Sequence, residues 1–167
     1  MTVVRHIHQP LAYAPVLAVL HAEAFAVPWS EHAFASALSG AGTCLLIATA
    51  DPPAAPDQPV GFVLLRQIVD EAEILTLMVR PSAHRQGHGT QLLKAAIGSA
   101  RENAARQLFL EVDIDNQAAR KLYLEARFTS VGQRQGYFKT ASGTSSDAII
   151  MRRIVDNNCP EVSGFHR

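Results

Sequence analysis

Residues 79–90 read VRPSAHRQGHGT, and this stretch decides the fold because it joins an apolar strand to an amphipathic helix. The strand is the run from Ile74 to Val79, and glycines at 87 and 89 open the helix. The first N–H groups of a helix lack intrahelical partners, and the helix dipole adds about half a positive charge there. Because glycine has no β-carbon, an anion can approach this backbone closely. The stretch therefore predicts a pyrophosphate-binding site, with Arg85 beside it.

A lone Gly-x-Gly is also compatible with a turn that only reverses the chain, so the assignment depends on the elements that follow. These are a strand at 107–112 (QLFLEV) and a helix that begins at Asn116. The combination of RQGHGT at 85–90, LEV at 110–112 and the spacing N-x6-Y ending at Tyr123 resembles the acyl-CoA-dependent N-acetyltransferases of the GNAT superfamily.

Three flanking segments narrow this resemblance. VPWSE at 27–31, DEA at 70–72 and DAIIM at 147–151 resemble the bacterial ribosomal-protein alanine N-acetyltransferases. The resemblance then covers roughly residues 3–154. It implies acetyl-CoA as the cosubstrate, and it implies a protein N-terminus, an alanine of a ribosomal protein, as the acceptor.

Length and charge limit the alternatives. A chain of 167 residues predicts a single domain at 1–155, followed by a disordered tail at 156–167. The 15 Lys and Arg residues balance the 15 Asp and Glu residues, so we expect no nucleic-acid partner. A basic ribosomal partner would have to be recognised by a local acidic patch.

Composition also gives no sign of a membrane segment or a metal site. The first six residues lack the apolar core of a signal peptide, and no apolar run approaches the roughly 20 residues that span a bilayer. Cys44 lies in an apolar strand and Cys159 in the polar tail, which predicts reduced thiols. The seven histidines are scattered without ligand spacing. We expect a cytoplasmic protein.

The order of elements predicts an α/β fold with one mixed sheet and helices on both of its faces. The resemblance implies that this is the GNAT-type α+β fold, whose central sheet is mostly antiparallel. Ser30 should cap the second helix, and Trp29 should pack on it as a hydrophobic staple. The proline-rich segment 51–59 predicts an exposed connection. Periodicity predicts strands at 3–7, 43–50, 60–68, 72–79, 107–113, 128–139 and 147–153, and helices at 11–25, 30–40, 87–104 and 116–125.

The resemblance divides the acetyl-CoA site into two parts. One backbone amide of the strand before the loop would donate to the thioester carbonyl, and that strand would line the pantetheine arm at Leu77, Met78 and Val79. The loop and the first helical turn would bind the pyrophosphate through Arg85, Gln86, Gly87, His88, Gly89 and Thr90.

Glu111 is the candidate general base. It interrupts the apolar run LFLEV at 108–112, so a neighbouring element should partly desolvate its carboxylate. The pattern alone also fits a carboxylate on the solvent face of a half-exposed strand. The resemblance implies that Glu111 takes the proton of the attacking amine, directly or through a water.

Tyr123 is the candidate general acid. Asn116 lies seven residues earlier, so both side chains point to nearly the same face of one helix. Asn116 can cap that helix or bind a pantetheine amide, and the resemblance implies that the Tyr123 hydroxyl protonates the departing thiolate. The alternative for Tyr123 is a core aromatic whose hydroxyl finds any acceptor.

Several residues depart from the pattern of the family. His84 stands where Gln or Arg is usual, and Arg127 stands where a glycine usually ends the helix. The segment 136–139 (GYFK) replaces two tyrosines and a proline, in a region that would shape the acceptor groove. His88 is an alternative base, although its place in the phosphate loop predicts a solvent-facing side chain.

Other functions fit the sequence less well. A dinucleotide-binding fold is disfavoured because Leu92 occupies the third glycine position, and a P-loop is excluded because no Gly-Lys-Ser/Thr follows. A non-catalytic CoA-binding module is disfavoured by the presence of both Glu111 and Tyr123. An acetyltransferase for a small amine or a lysine side chain remains open at this stage.

Overall fold

The computed structural model describes residues 1–50, 58–140 and 142–155, so the predicted tail and most of the proline-rich connection lie outside the described residues. Within these ranges the strands are β1 Thr2–His6, β2 Thr43–Ala50, β3 Pro59–Ile68, β4 Glu71–Val79, β5 Gln107–Asp113, β6 Thr129–Lys139 and β7 Ser145–Ile154. The α-helices of the same ranges are α1 Ala14–Ala24, α2 Glu31–Leu38, α3 His88–Glu102 and α4 Gln117–Glu125, and 3₁₀ turns lie at Pro10–Tyr13 and Pro81–Ala83.

The described strands form one mixed, mostly antiparallel sheet, which confirms the predicted fold class. Their order is β1-β2-β3-β4-β5-β7-β6, and every neighbouring pair is antiparallel except β4 and β5. The predicted helix at 11–25 is divided: a 3₁₀ turn comes first, and α1 begins at Ala14. Pro15 lies in the first turn of α1, where its missing N–H has no helical partner to lose.

Helices cover both faces of the sheet, as the sequence predicted. On the face that we call the α3 face, α3 and α4 pack with the inward side chains of β5 into a core that includes Leu92, Leu93, Leu108, Leu110 and Tyr123. On the opposite α1 face, α1 and α2 pack on β2, β3 and the end of β4 through Leu17, Phe34, Leu45, Phe62 and Met78. Each functional side chain can therefore be assigned to one face.

The parallel pairing of β4 with β5 is short. The ladder consists of four residue pairs and ends at Ile74 opposite Leu110. The remaining residues of both strands, 75–79 in β4 and 111–113 in β5, do not pair with each other. We call this unpaired stretch between the two strands the β4–β5 gap.

A β-bulge in β4 coincides with the start of this gap. The register with β3 shifts between Leu64, which faces Thr76, and Leu65, which faces Ile74, so Leu75 is an extra residue. A bulge bends its strand and increases the local twist. The bulge at Leu75 directly follows Ile74, the last residue of β4 that pairs with β5.

The start of α2 confirms both local predictions made for it. The Ser30 hydroxyl accepts a hydrogen bond from the Ala33 N–H at 3.1 Å, as an N-cap side chain should. The ring centroid of Trp29, just outside the cap, lies 5.2 Å from that of Phe34 in the following turn. This is a hydrophobic staple, and it fixes the angle at which the α1–α2 connection enters the helix.

At the end of α4, an arginine stands at the position where a glycine usually ends the helix. Arg127 adopts a left-handed conformation with φ of 63°, at the position where glycine is favoured. The turn still closes, because the Phe128 N–H donates to the Tyr123 carbonyl at 3.0 Å and the Arg153 guanidinium donates to the Ala126 carbonyl. The left-handed arginine costs about 1–2 kcal/mol, which these contacts offset.

Candidate active site

The loop before α3 contains two left-handed residues, which are separated by one residue. Arg85 has φ of 59° and Gly87 has φ of 84°. Gly87 is the N-cap of α3, which begins at His88. The first turn of α3 follows directly, and its N–H groups have no intrahelical partners. A non-glycine residue held in this region is backbone strain of the kind found at binding sites.

The two glycines of the loop have different physical roles. A β-carbon on Gly87 would meet no protein atom within 4 Å, so its requirement is conformational. A β-carbon on Gly89 would lie 3.6 Å from Leu122 Cδ2 and 3.7 Å from Val79 Cγ2, which are ordinary contacts. Gly89 therefore lies between α4 and the end of β4, at the mouth of the β4–β5 gap. The protein itself leaves room there for a small side chain.

The prediction of a solvent-facing His88 is wrong. The side chain is 5% exposed, and its Nδ1 lies 2.8 Å from the Thr2 hydroxyl of β1. The first turn of α3 packs across β1 at the edge of the sheet, and burial there lowers the pKa of His88. Because β1 lies four strands away from β5, His88 is not beside Glu111 and is not an alternative base.

The other polar residues of the loop remain near the surface. His84 is exposed, and its Nε2 lies 2.8 Å from the Val79 carbonyl, so its ring points back to the end of β4. Gln86 is exposed and donates through Nε2 to the Ser82 carbonyl at 3.4 Å. Arg85 is exposed and Thr90 is half-buried in the first turn of α3. The His84 ring thus contacts the backbone from which the loop starts, whereas Arg85 has its positive charge at the surface.

Glu111 lies on the α1 face of β5, because its neighbours Leu110 and Val112 are buried on the α3 face. Its side chain is 17% exposed, and its Oε1 lies 2.9 Å from the Arg134 Nε. The Tyr137 hydroxyl also donates to this carboxylate, and that hydrogen bond is the largest cause of the raised pKa of Tyr137. Sequence reasoning found Glu111 but missed both of its partners.

Glu111 borders a cavity of about 290 Å³ on the α1 face. The cavity extends from the β3–β4 hairpin to β7, and its walls combine apolar and charged groups, among them Arg66, Ile68, Glu73, Phe109, Arg134 and Ile150. Arg66 and Glu73 pair with each other at 3.1 Å. The cavity is therefore a mixed polar and apolar surface next to a carboxylate.

A large irregularity in β6 directs Arg134 and Tyr137 toward Glu111. The ladder with β7 is interrupted between Arg134 and Phe138. Asp147 of β7 anchors the interruption, because its carboxylate accepts hydrogen bonds from the Gly136 N–H at 2.9 Å and from the Gln133 Nε2 at 2.6 Å. Gly136 has φ of 60°, a conformation that few other residues adopt.

Tyr123 lies on the α3 face, across the sheet from Glu111. Its ring is 7% exposed and packs on Phe128 with the centroids 5.8 Å apart. Burial raises the pKa of Tyr123 to about 12. Among the described residues, no hydrogen bond partner is found for its hydroxyl. Two turns earlier, the Asn116 Oδ1 caps α4 by accepting from the Ala119 N–H at 3.1 Å.

His21 is a buried residue that sequence reasoning missed. Its Nδ1 accepts a hydrogen bond from the Trp29 N–H at 3.1 Å, and its Nε2 lies 3.3 Å from the Thr76 hydroxyl in β4. Its ring stacks on Phe25 with the centroids 3.9 Å apart. The neutral ring thus ties the α1–α2 connection to the strand that borders the gap, and burial lowers its pKa to about 4.

Within the described ranges, no group of three or more His, Cys, Asp or Glu residues could hold a metal ion. Cys44, the described cysteine, is a free thiol. A search of the same residues for a helix long and apolar enough to cross a membrane finds none.

A known protein family matches most of this chain. The sequence profile of the Acetyltransferase (GNAT) family matches residues 14–128, which include the loop, both faces of the gap, Glu111 and Tyr123. The chain belongs to this family. It is an N-acetyltransferase, and the resemblance read from its motifs is confirmed.

Curated relatives and solved structures agree with this GNAT assignment. The [ribosomal protein bS18]-alanine N-acetyltransferase of Salmonella typhimurium is 35% identical over 77% of this chain and 82% of that protein. The crystal structure of the ribosomal-protein-S18-alanine N-acetyltransferase from Escherichia coli superposes with a TM-score of 0.82 at 28% identity, over 99% of this chain and 100% of that one. Arabidopsis thaliana NAA60 in complex with acetyl-CoA has a TM-score of 0.79 at 18% identity, over 93% and 99% of the two chains.

We expect the substitution Gly89→Val to weaken CoA binding about tenfold or more, because a branched side chain at the mouth of the gap would block approach to the first turn of α3. Isothermal calorimetry with CoA measures the effect. Gly98→Val is the matched control, since Gly98 lies later in α3 and a β-carbon there meets nothing within 4 Å. Equal CoA affinity of a folded Gly89→Val protein and the wild type would contradict the pyrophosphate site.

We expect acid to destabilise the fold through His21. The unfolded chain binds a proton near the ordinary pKa of 6.5, whereas the folded protein does so at about 4. The free energy of unfolding should therefore fall as the pH drops from 6.5 toward 4, by about 3 kcal/mol from this group, and level off below that. Urea unfolding across this range measures it.

The variant His21→Asn removes the titration and keeps an acceptor for the Trp29 N–H. Its free energy of unfolding should depend less steeply on pH than that of the wild type, and His32→Asn, at an exposed position of α2, should leave the wild-type slope unchanged. Parallel slopes for wild type and His21→Asn would mean that His21 does not control acid stability.

Proposed function

We propose that this GNAT enzyme transfers the acetyl group of acetyl-CoA directly to the N-terminal α-amine of a protein, an alanine of a ribosomal protein. The names of its relatives from Salmonella typhimurium and Escherichia coli support the acceptor. The direct-transfer mechanism rests on one observation: Glu111 and Tyr123 lie on opposite faces of the sheet, with the β4–β5 gap between them.

The gap supplies a passage in which two substrates can meet. A thioester that enters from the α3 face would lie beside the unpaired edge of β4, where the backbone of Leu77, Met78 and Val79 can bind the pantetheine arm. An amine that enters from the α1 face would meet Glu111. The reacting carbonyl would then lie between a proton acceptor on one side and a proton donor on the other, as direct transfer requires.

The residues at the start of α3 fit a pyrophosphate. The N–H groups of Gly87, His88, Gly89 and Thr90 belong to the loop and the first turn, and the open space beside Gly87 allows close approach. Arg85 adds a mobile positive charge at the surface. When bound there, acetyl-CoA supplies the activated acetyl group, and the protein supplies its position and the donors for the carbonyl oxygen.

Glu111 would take the proton of the attacking amine. An α-ammonium group titrates at about 7.7–8.0, so near neutral pH a sizeable minority of it is already neutral, whereas lysine at about 10.4 is less than about 0.1% neutral. A single carboxylate is therefore a sufficient base to deprotonate an α-amine acceptor. A lysine acceptor would need a stronger base than the α1 face offers near the gap.

Tyr123 would return a proton to the leaving thiolate. Its high pKa keeps the hydroxyl protonated at every physiological pH. A coenzyme thiol resembles cysteine, with a pKa of about 8.5, so transfer from this phenol is unfavourable at equilibrium and is useful only while the thiolate is forming. Asn116 would contribute by holding the first turn of α4, and with it the approach of Tyr123.

The acceptor is tested with peptides that begin with alanine and also contain lysine, with the α-amine either free or blocked. We expect acetylation of the free α-amine and almost none of the lysine side chain, because only the α-amine is appreciably neutral near pH 7. Tandem mass spectrometry locates the acetyl group. Comparable acetylation of lysine in the blocked peptide would refute the α-amine assignment.

We expect Glu111→Gln to lower kcat/KM for the peptide by roughly two to four decades, the usual value of general base catalysis, without changing CoA affinity. Tyr123→Phe should lower kcat and also leave CoA affinity intact, since the ring is retained. Steady-state kinetics and calorimetry measure both. Lys121→Gln, an exposed change on the same helix as Tyr123, is the control. Wild-type turnover in either catalytic variant would assign that proton transfer elsewhere.

A further inference from the structure

The carboxylate of Glu111 already has a cation in front of it. Arg134 Nε lies 2.9 Å from Oε1, and the Tyr137 hydroxyl donates to the same group. The acceptor ammonium would have to occupy this position to transfer its proton to Glu111. A guanidinium and an ammonium group at one carboxylate repel each other, so each weakens the binding of the other to it.

We propose that Arg134 is a displaceable counter-ion: it holds Glu111 while the acceptor is absent and yields the carboxylate to the incoming α-ammonium group. This inference rests on the proposed role of Glu111 as the base. Arg134 is thus a positioning residue, which acts through Glu111 and does not itself touch the reacting atoms.

The burial of the two groups supports an exchange. The Glu111 side chain is 17% exposed, so its charge needs a compensating partner when the site is empty of acceptor. The Arg134 side chain is 56% exposed, so it can leave the pair and regain water at little cost. The pair thus joins a fixed, largely buried anion to a mobile, largely hydrated cation.

Arg134 has a second partner besides Glu111. Its guanidinium carbon lies 5.4 Å from the centroid of the Tyr137 ring, within the range of a cation–π contact. The Asp147 carboxylate holds the strand around these two residues, because it accepts from the Gly136 N–H between them and from the Gln133 side chain just before them. The Arg134 side chain can therefore leave the carboxylate for solvent and keep its aromatic contact while β6 stays in place.

Arg134→Gln removes the competing charge, so we expect the KM for an Ala-initiated peptide to fall about two- to fivefold, the range of a partly exposed ion pair. The kcat and the KM for acetyl-CoA should stay within twofold of wild type. Arg134→Lys keeps a cation and should fall between the two. Arg106→Gln, which removes an exposed charge outside the cavity, is the control and should change neither constant.

A rise in peptide KM, or a loss of kcat in Arg134→Gln that Arg134→Lys restores, would overturn the proposal. Either result would mean that Arg134 binds the peptide or orients Glu111 during catalysis. An unchanged peptide KM would also overturn it, since a counter-ion that must be displaced cannot be removed without effect.

A binding experiment separates this proposal from the acceptor assignment. The ¹⁵N–¹H signal of the Arg134 Nε group is followed while ethylammonium chloride is added, with sodium chloride at equal ionic strength as the control. We expect ethylammonium to shift this signal and Glu111→Gln to abolish the response. A shift in an enzyme that acetylates no peptide would uphold the exchange and reject the acceptor. A signal that ignores ethylammonium would reject the exchange, whatever the acceptor.

Discussion

The parallel pairing of β4 with β5, and its early end, is the constraint on which the rest of the site depends. Two parallel strands cannot be joined by a tight turn, so a crossover helix must connect them, and α3 is that helix. Its N-terminus necessarily follows the end of β4. Because the pairing stops at Ile74, the same strand end also has a free backbone edge. The proposed anion site and the unpaired edge of β4 are therefore side by side because of one topological feature.

Sequence reasoning succeeded where the cause is local. The strands, the cap at Ser30 and the staple at Trp29 follow from residues close together in the chain, and the structure has them. The prediction of a solvent-facing His88 was wrong because the direction of this side chain depends on which strand lies under the first turn of α3. That strand is β1, 86 residues earlier at Thr2. No periodicity around His88 contains this information.

The partners of Glu111 were missed for a related reason. The residues of β6 are mostly exposed and do not alternate, so the strand gives no pattern from which a face can be assigned. Gly136 within a strand was the available sign of an irregularity, and Asp147 anchors it from another strand. His21 gave no sign at all, since a histidine in an apolar helix becomes an anchor only when Thr76 and Trp29 meet it.

Two tyrosines illustrate why the proposed base and the proposed acid belong on opposite faces of the sheet. Tyr137 shares a face with Glu111, and its hydroxyl donates to that carboxylate, so its proton is already engaged. Burial alone raises the pKa of Tyr123. This residue lies across the sheet from Glu111, so the carboxylate cannot accept its hydrogen bond. Had Tyr123 shared the face of Glu111, the two groups would have bound each other. The sheet between them keeps the phenol proton of Tyr123 out of reach of this carboxylate.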